Sequence, residues 1–460
     1  MRGDEAVPWG AARPLPAVGD GAAPAAPRAP AGSLLANFSW VLAGRIAYIA
    51  SQWALLVILA RWGSAEVVGE FGLALALTSP AFMLAQMGLR DLYTTERDAA
   101  TFPVYLALRL VSVLAGLVVV GAIVAVTGYA APLAAAVLLV GLAKAVESIS
   151  DMLFGTMQRE ERMEFIGRSY VYRGLLAVAS VAAVMYLFRS LAAASLALAA
   201  SWTVILFAYD LPNARRVSAA PGALRPRWDL QGIRGLGWAA LPLGGVAMLG
   251  ALQTNTGRYL LELFSDRAAL GYFTAVAATV ASLDIIIVAM NKTALSRLGA
   301  AYRADVGDFE RQLWRMSLAS VGVGVAALGF GALFGRALLG LAYGAAYGAF
   351  VPVLVWLLVG RVAVCVYTFV KAAQVVMRQL NAQFAVSLVS SAAGFGVGVL
   401  VVPRWGIVGA AMSVAATQWI ALLVGSGGLA LSLARTRGGG GRGSAASDAP
   451  AAVFASADAS

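Results

Sequence analysis

Residues 55–79 read LLVILARWGSAEVVGEFGLALALTS, and residues 259–282 read YLLELFSDRAALGYFTAVAATVAS. In both stretches an apolar run ends in a short turn of small and acidic residues, and a Gly-x-Phe triplet then leads into a second apolar run. The triplets are Gly69-x-Phe71 and Gly271-x-Phe273. Each stretch predicts two apolar helices joined by a tight turn, and the recurrence predicts a chain made of two similar halves.

The composition indicates that lipid, and not water, surrounds most of this chain. Hydrophobic residues make up 60% of the 460 residues, charged residues make up 12%, and the mean hydropathy is +0.80. Soluble domains are about 45–50% apolar and about 25% charged. A helix crosses the membrane core with about 20 mostly apolar residues. That length predicts twelve spans, near 34–60, 71–92, 103–127, 131–156, 170–188, 190–210, 236–263, 268–291, 313–334, 347–371, 383–402 and 406–432.

Six spans in each half give the two halves the same orientation. We therefore predict an all-α polytopic membrane protein with about 12 transmembrane helices in two pseudo-symmetric six-helix lobes around a central cavity. SLAAASLALAASW at 190–202 resembles GIVGAAMSVAATQW at 406–419, which supports the repeat. The predicted units are a disordered tail over 1–33, an N-lobe over 34–210, a linker over 211–235, a C-lobe over 236–432 and a second disordered tail over 433–460.

The basic residues outside the spans predict how the chain is oriented in the membrane. With the N-terminus inside, the inner loops and tails hold 23 Lys and Arg residues, and the outer loops hold 5. Lys and Arg accumulate in the cytoplasmic loops of membrane proteins. We therefore expect a multi-pass protein of the cell inner (plasma) membrane with both tails in the cytoplasm.

The residue types exclude or disfavour several kinds of chemistry. The chain has no histidine and one cysteine, Cys365, so it can form neither an internal disulfide nor a catalytic pair that needs histidine. It lacks a G-x-x-x-x-G-K-[ST] loop, and we predict no ATP site, no metal and no cofactor. The formal net charge of +11 lies in short loops between apolar runs, which argues against nucleic acid as a partner. The short outer loops argue against a membrane glycan polymerase or ligase.

Basic residues within the predicted spans mark the candidate site. A charge in mid-membrane costs about 2.5–3.5 kcal/mol on insertion scales, so it should face water or a partner. The four basic residues placed deepest are Arg45, Lys144, Arg258 and Arg361. We predict that these four line a cationic, water-filled cavity between the lobes, where they bind a diphosphate. Arg109 and Arg173 lie near the inner ends of their spans, and we expect them to extend to the lipid headgroups.

Uncharged polar residues extend this candidate site. Tyr48 and Gln52 share the helix face of Arg45, because they follow it by three and seven residues. Gln253 and Asn255 belong to a polar patch in the outer half of span seven. We predict that these four side chains face the lumen and contact the substrate.

Two other roles for the charged residues stay open. The bases could form structural ion pairs, such as Lys144 with Glu147 or Asp151 and Arg45 with Asp284. Glu147 and Asp284 could also carry a coupling proton or sodium ion, since both are acidic residues inside apolar spans.

Four stretches, in their order along the chain, resemble the polysaccharide flippases of the multidrug/oligosaccharidyl-lipid/polysaccharide superfamily. They are NFSWVLAGRIAYIASQWALLVILARWGSAEVVGEFGLALAL (37–77), LAQMGLRDLYTTE (84–96), GRYLLELFSDRAALGYFTAVAATVAS (257–282) and VVPRWGIVGAAMSVAA (401–416). Together they anchor roughly residues 34–430. The second stretch departs from the family's D-L-G-L pattern, since it has Gln86 and Met87 in place of an acidic start.

The resemblance implies a transporter that works by alternating access and not an enzyme. It implies that the substrate is a polyprenyl-diphosphate-linked oligosaccharide, moved from the inner to the outer leaflet for surface or exopolysaccharide assembly. Arg45 and Arg258 are the positions at which it implies a cationic lumen. The implied partners are this lipid-linked saccharide, membrane lipids and glycan-assembly membrane proteins. The alternatives are an ion-coupled drug or toxin exporter of the same superfamily and a membrane glycan polymerase or ligase.

Overall fold

The computed structural model describes residues 34–96, 101–218, 222, 224–377 and 379–438, and every regular element within these ranges is helical. The predicted tail over 1–33 lies outside the described residues, as does the part of the second tail beyond residue 438. The described chain forms two lobes of six spans. We call the end of the bundle where α1 begins and α14 ends the termini end, and the opposite end the far end.

The first half of the chain forms the N-lobe. Its elements are α1 (Leu34–Trp62), α2 (Ala65–Gln86), α3 (Leu89–Thr95), α4 (Phe102–Thr127), α5 (Ala131–Arg159), α6 (Met163–Phe188), α7 (Leu191–Ile205), a π-helical turn (Leu206–Asp210) and α8 (Leu211–Val217). The short α3 completes the span of α2, and α8 completes the span of α7. Ser64 starts α2, because its hydroxyl accepts a hydrogen bond from the Val67 amide.

The second half forms the C-lobe. Its elements are α9 (Leu230–Phe264), α10 (Arg267–Ala281), α11 (Asp284–Ala304), α12 (Val306–Tyr343), a 3-10 turn (Ala345–Phe350), α13 (Val351–Val376) and α14 (Leu380–Gly438). Asp266 starts α10 by accepting a hydrogen bond from the Ala269 amide, as Ser64 does for α2. α10 and α11 together make one span, which is bent by 40° at the break between them.

α14 crosses the membrane twice. Gly406 has the non-helical angles φ 52° and ψ −126° inside this run. The Ser413 hydroxyl donates to the Gly394 carbonyl at 2.8 Å, and Gly409 packs against the backbone of Val401. A straight helix, rising 1.5 Å per residue, would hold these residues far apart. The chain therefore reverses at Gly406, and the two arms of α14 pack antiparallel.

The predicted fold class is confirmed. Ten helical runs in the described ranges are long and apolar enough to cross a membrane, and the bent pair α10–α11 makes eleven. Since α14 counts twice, these ranges hold twelve spans.

Several helices are longer than their predicted apolar windows. α2 begins at Ala65 and not near 71, and α6 begins at Met163 and not near 170. The segment 211–235 is helical at both ends, over α8 and the start of α9. An apolar window finds the part of a helix that lies in the hydrocarbon core, whereas the helix itself continues through capped, polar ends.

A pseudo-two-fold axis relates the lobes and passes between α2 and α10. Gly69 packs against the carbonyl of Arg267, and Gly271 packs against the carbonyl of Ala65. Such reciprocal contact is what a two-fold axis produces. Packing within the lobes shows the same symmetry. In the N-lobe α1 packs on α6, and in the C-lobe α9 packs on the first arm of α14. Likewise, α4 packs on α5 and α12 packs on α13. The two Gly-x-Phe triplets of the sequence therefore meet where the lobes join at the far end.

Candidate functional site

A cavity of about 300 Å³ lies inside the C-lobe, between α9, α10, α11, α13 and the second arm of α14. This volume is at the lower end of the range for ligand pockets. Its polar lining consists of Gln253, Thr254, Arg258, Asp284, Arg361, Tyr367, Lys371, Thr417 and Gln418. Three bases against one acid make the lining net cationic. This cavity lies within one lobe, whereas the sequence predicts a cationic site between the lobes.

Arg258 is the cavity cation nearest the far end. Its Nη1 donates to Asn255 Oδ1 at 2.6 Å, and its Nε donates to Thr274 Oγ1 at 3.3 Å. Both partners are neutral, and Arg258 forms no ion pair with any described acid. Asn255 is held in turn by the Ala251 carbonyl. The contacts therefore orient the guanidinium and leave its charge available to an anion.

Gln253 lies one turn before Arg258 on α9 and also lines the cavity. Its Nε2 donates to the Ser387 carbonyl at 3.0 Å and to Ser390 Oγ at 2.7 Å. These bonds join α9 to the first arm of α14. The side chain has a structural role as well as its place in the lining.

Arg361 and Asp284 form an ion pair across the cavity. Asp284 is the first residue of α11, directly after the bend in its span, and its side chain is 47% exposed. Arg361 lies within α13 and is 15% exposed. The pairing of Asp284 with Arg45, which the sequence left open, is not formed, because Arg361 of α13 pairs with Asp284 instead. The pair joins the termini-side half of the bent span to α13.

Lys371 is a third cation of the cavity that the sequence analysis missed. The predicted span ends at residue 371, so the sequence does not place this lysine inside the membrane, whereas α13 continues to Val376. The Lys371 ammonium lies 5.0 Å from the ring centroid of Tyr367, one turn earlier in α13. Tyr367, Thr417 and Gln418 were missed as well. The spacing of Tyr367 and Lys371, four residues apart on one helix face, could have indicated them.

Lys144 lies in the N-lobe and not in the cavity. Its ammonium is 2.8 Å from Glu147 Oε2, and the Tyr48 hydroxyl donates to Glu147 Oε1 at 2.6 Å. The Lys144 ammonium also lies 5.8 Å from the ring centroid of Trp202. This is one of the two ion pairs that the sequence left open for Lys144. The three side chains join α1 to α5 next to the ring of Trp202.

Arg45 is exposed on α1 and does not line the C-lobe cavity. It makes no ion pair with any described acid. Gln52, two turns along the same helix, is half-buried, and its amide nitrogen has no hydrogen-bond partner among the described residues. The structure therefore brings Arg258 and Arg361 together but separates both from Arg45 and Lys144.

Arg109 and Arg173 are fully buried, so the prediction that they extend to the headgroups is wrong. Arg173 Nη2 lies 2.8 Å from Asp210 Oδ2, and Ser169 donates to the same carboxylate. The π-helical turn over Leu206–Asp210 places Asp210 there. Arg109 Nη2 lies 3.6 Å from Asp151. For Arg173 the error follows from the length of α6, which begins at Met163 and not near 170. For Arg109 it follows from tertiary packing, because α4 begins where predicted and its arginine points to the Ala85 carbonyl and Asp151.

An apolar groove of about 450 Å³ lies between the lobes. It is bounded by α1 on one side and by α10, α11, α12 and α13 on the other. The lining includes Ile46, Ile49 and Trp53 of the N-lobe and Leu354 of the C-lobe. Val280 lines both this groove and the cationic cavity. A charged compartment and an apolar compartment therefore share one wall.

The lobes are in contact at the far end. Arg61, at the end of α1, donates from Nε to the Ala342 carbonyl at 3.0 Å and from Nη2 to the Leu341 carbonyl. The rings of Trp53 and Tyr343 pack edge to face, with centroids 6.1 Å apart. Together with the glycine contact between α2 and α10, these contacts close the far end between the lobes.

Twelve spans in two pseudo-symmetric lobes, with a cationic cavity and a closed far end, are the architecture that two-lobed membrane transporters share. The chain is similar to an inward-facing multidrug resistance MATE family transporter of the MOP superfamily, with a TM-score of 0.69 at 13% identity over 87% of this chain and 100% of that one. It is similar to the lipid II flippase MurJ in an inward closed conformation, with a TM-score of 0.68 at 9% identity over 87% of each chain. The chain therefore has the fold of the MOP superfamily of transporters, and these structures are transporters and not enzymes.

A similarity in sequence points in the same direction. The chain is 22% identical over 392 residues to the capsular polysaccharide biosynthesis protein CapF of Staphylococcus aureus, and the match covers 85% of this chain and 98% of that protein. No protein-family profile matches the chain. The predicted resemblance to the superfamily is thus confirmed in the fold.

Proposed function

We propose that this protein is a flippase that moves a polyprenyl-diphosphate-linked oligosaccharide from the inner to the outer leaflet, for assembly of a surface polysaccharide. The observation that carries the proposal is the charge of the C-lobe cavity. Arg258, Arg361 and Lys371 line it against a single acid, Asp284. A diphosphate is the anionic group that such an array fits, because guanidinium groups pair with phosphate oxygens.

The charge of the cavity also bears on the drug-exporter alternative. A cationic drug would meet like charges in a confined space, where repulsion is stronger than in water. The name of the similar protein from Staphylococcus aureus refers to capsular polysaccharide biosynthesis, which favours a saccharide substrate. Both observations support the flippase over the exporter, and the experiment below separates the two.

The apolar groove supports a lipid-linked substrate. An isoprenoid chain needs an apolar surface close to the site of its diphosphate. The groove is apolar, lies between the lobes and adjoins the cationic cavity at Val280. In the proposed mechanism, the diphosphate binds in the cavity and the first part of the lipid chain lies along the groove.

The orientation and the coupling ion are part of the proposal. We place the termini end in the cytoplasm of a cell with this protein in its inner membrane, following the distribution of Lys and Arg. The closed far end then makes the structure an inward-facing state, which can accept substrate from the inner leaflet. Glu147 and Asp284 stay candidates for proton or sodium coupling, each through the loss of an ion pair with Lys144 or Arg361. Glycan-assembly membrane proteins are the proposed partners.

The test is to determine which leaflet holds the lipid-linked saccharide in cells depleted of this protein. Depletion should trap completed units on the cytoplasmic leaflet, and wild type should restore their passage. Arg258→Ala should not restore it, because the variant removes a cavity cation that has no acid partner. Arg311→Ala is the matched control, since Arg311 is an exposed arginine paired with Asp308 outside the cavity.

Each outcome decides between the alternatives. The flippase is established if depletion traps units on the cytoplasmic leaflet, if wild type and Arg311→Ala release them, and if Arg258→Ala does not. Units that reach the outer leaflet but are not polymerised would favour a glycan enzyme. Normal leaflet distribution together with new drug sensitivity would favour the exporter.

A further inference from the structure

The cations of the C-lobe cavity lie at three depths in the membrane. Arg258 bonds to Thr274, and Asp284, the partner of Arg361, follows Thr274 by ten residues along the bent span. Lys371 follows Arg361 by ten residues within α13. At 1.5 Å per residue, neighbouring levels are up to about 15 Å apart, so the first and the last are up to about 30 Å apart. A single diphosphate is too short to contact the first and the last.

The middle level, at Arg361, differs in net charge from the two end levels, at Arg258 and Lys371. Arg361 is paired with Asp284, so its charge is largely neutralised in this state. Arg258 has only neutral partners. Lys371 has no ion pair among the described residues. The two cations that are free to bind an anion therefore lie at opposite ends of the same cavity.

The surroundings of Lys371 form a built polar site. The Tyr367 side chain is 7% exposed and lines the cavity, yet its hydroxyl has no hydrogen-bond partner among the described residues. Gln418 Oε1, also in the lining, has no partner in the same ranges, but it lies against Gly360, next to Arg361, and not at Lys371. A buried polar group normally has a partner, so the Tyr367 hydroxyl indicates that a polar ligand completes the site. Lys371 supplies the positive charge next to Tyr367.

We propose that Lys371 and Tyr367 form a second diphosphate-binding site at the termini end of the cavity, distinct from the site at Arg258. The diphosphate binds first at Lys371, with the Tyr367 hydroxyl donating to a phosphate oxygen. It then passes Arg361 by exchanging with Asp284 and reaches Arg258 near the far end. This inference rests on the proposed function, since it assigns a path to the same headgroup.

The test uses inorganic pyrophosphate as the probe and the full chain in lipid nanodiscs. Replacing the single cysteine by Cys365→Ser gives a background in which Lys371→Cys is the only thiol. We expect Lys371→Cys to weaken binding at one of the two pyrophosphate sites about tenfold, as removal of a charge-assisted hydrogen bond does, and to leave binding at Arg258 unchanged. Modification with an aminoethyl methanethiosulfonate reagent restores a side chain close to lysine and should restore binding. The sulfonatoethyl reagent adds a negative charge and should not.

Two controls separate a binding role from a structural one. In Arg311→Cys, the same reagents modify a cysteine outside the cavity. This variant should bind pyrophosphate as tightly as the Cys365→Ser background protein, with or without modification. Tyr367→Phe should weaken binding a few-fold, whereas Tyr347→Phe should not, although the Tyr347 hydroxyl is equally buried and unpartnered in the described ranges.

The outcomes are distinguishable from those of the leaflet experiment. Unchanged binding by Lys371→Cys, or equal rescue by both reagents, overturns the second site and leaves the flippase untouched. If the background protein does not bind pyrophosphate at all, the second site and the diphosphate basis of the proposed function both fail. Loss of binding that only the cationic reagent reverses establishes the site.

Discussion

Charged side chains inside the two lobes have different surroundings. In the N-lobe, Arg173 and Asp210 are fully buried and paired at 2.8 Å. In the C-lobe, Arg258 faces a cavity and bonds only to neutral groups. Removing one partner of a buried pair leaves an uncompensated charge, whereas removing a cavity cation leaves a space that water can fill. The first kind of residue should therefore matter for stability and the second for substrate binding.

Arg173→Ala should destabilise the protein by about 3–5 kcal/mol, because Asp210 would stay buried without its partner. The measurement is thermal unfolding of the purified protein in detergent, followed by tryptophan fluorescence. Arg258→Ala, made in parallel, should unfold near the wild-type temperature.

The paired replacement of both charges is the control for this prediction. Arg173→Met combined with Asp210→Leu should recover most of the lost stability, since apolar residues of similar volume often replace a buried ion pair without loss. Equal destabilisation by Arg173→Ala and by Arg258→Ala would contradict the distinction between the two kinds of residue.

The sequence predicted some of these residues and not others, for a physical reason. Arg258 and Arg361 could be found because a charge within an apolar run needs water or a partner. Arg173 and Lys371 were misplaced because both lie close to the ends of apolar windows, while the helices themselves continue further. The partner of Arg361 could not be predicted, since Asp284 lies in another span and only tertiary packing brings the two together.

The closest approach between the lobes is made by two helices, α2 and α10. Gly271 packs against the carbonyl of Ala65, and Gly69 packs against that of Arg267. Small residues allow helix backbones to approach closely in membranes. The recurring Gly-x-Phe triplet was enough to predict two similar halves, but not that the glycines of the two halves contact each other. That contact depends on the position of the pseudo-two-fold axis, which a repeat in sequence does not specify.

Gly271→Ala should open the far end, because the added Cβ would overlap with the Ala65 carbonyl and backbone cannot move aside as a side chain can. Overpacking of this kind costs about 1–3 kcal/mol. The measurement is the reactivity of Thr274→Cys, in the Cys365→Ser background, towards a membrane-impermeant thiol reagent added at the far side. Thr274 is fully buried beside Gly72 at this contact, so its reactivity should rise several-fold.

Gly299→Ala is the matched control for that experiment. It lies in α11, where a Cβ would meet open space, and it should leave the reactivity of the cysteine unchanged. If Gly271→Ala also left the cysteine protected, the glycine contact would not be what closes the far end.

The lobes are in contact at the far end and also towards the termini end, where Gly244 packs against the Leu84 carbonyl and the Arg227 amide donates to the Pro103 carbonyl at 3.0 Å. Arg61, Trp53 and the glycine pair hold the lobes together towards the far end. The cationic cavity and the apolar groove extend from there towards the termini end. If transport requires the lobes to rock about the bound substrate, the far-end contacts must break in every cycle. A covalent link across them should therefore stop transport, although it touches no residue of the cavity.

The test is a reversible cross-link between Arg61→Cys and Leu341→Cys in the Cys365→Ser background. Arg61 donates to the Leu341 carbonyl, so a short thiol-to-thiol reagent can join the two positions. Cross-linking should abolish transfer of the lipid-linked saccharide to the outer leaflet, and reduction should restore it. The control is the pair Trp62→Cys and Tyr186→Cys, whose rings lie 6.1 Å apart within the N-lobe. That link moves with one lobe and should leave transport intact. Transport that persists with the lobes linked at Arg61 would show that the far end does not open during the cycle.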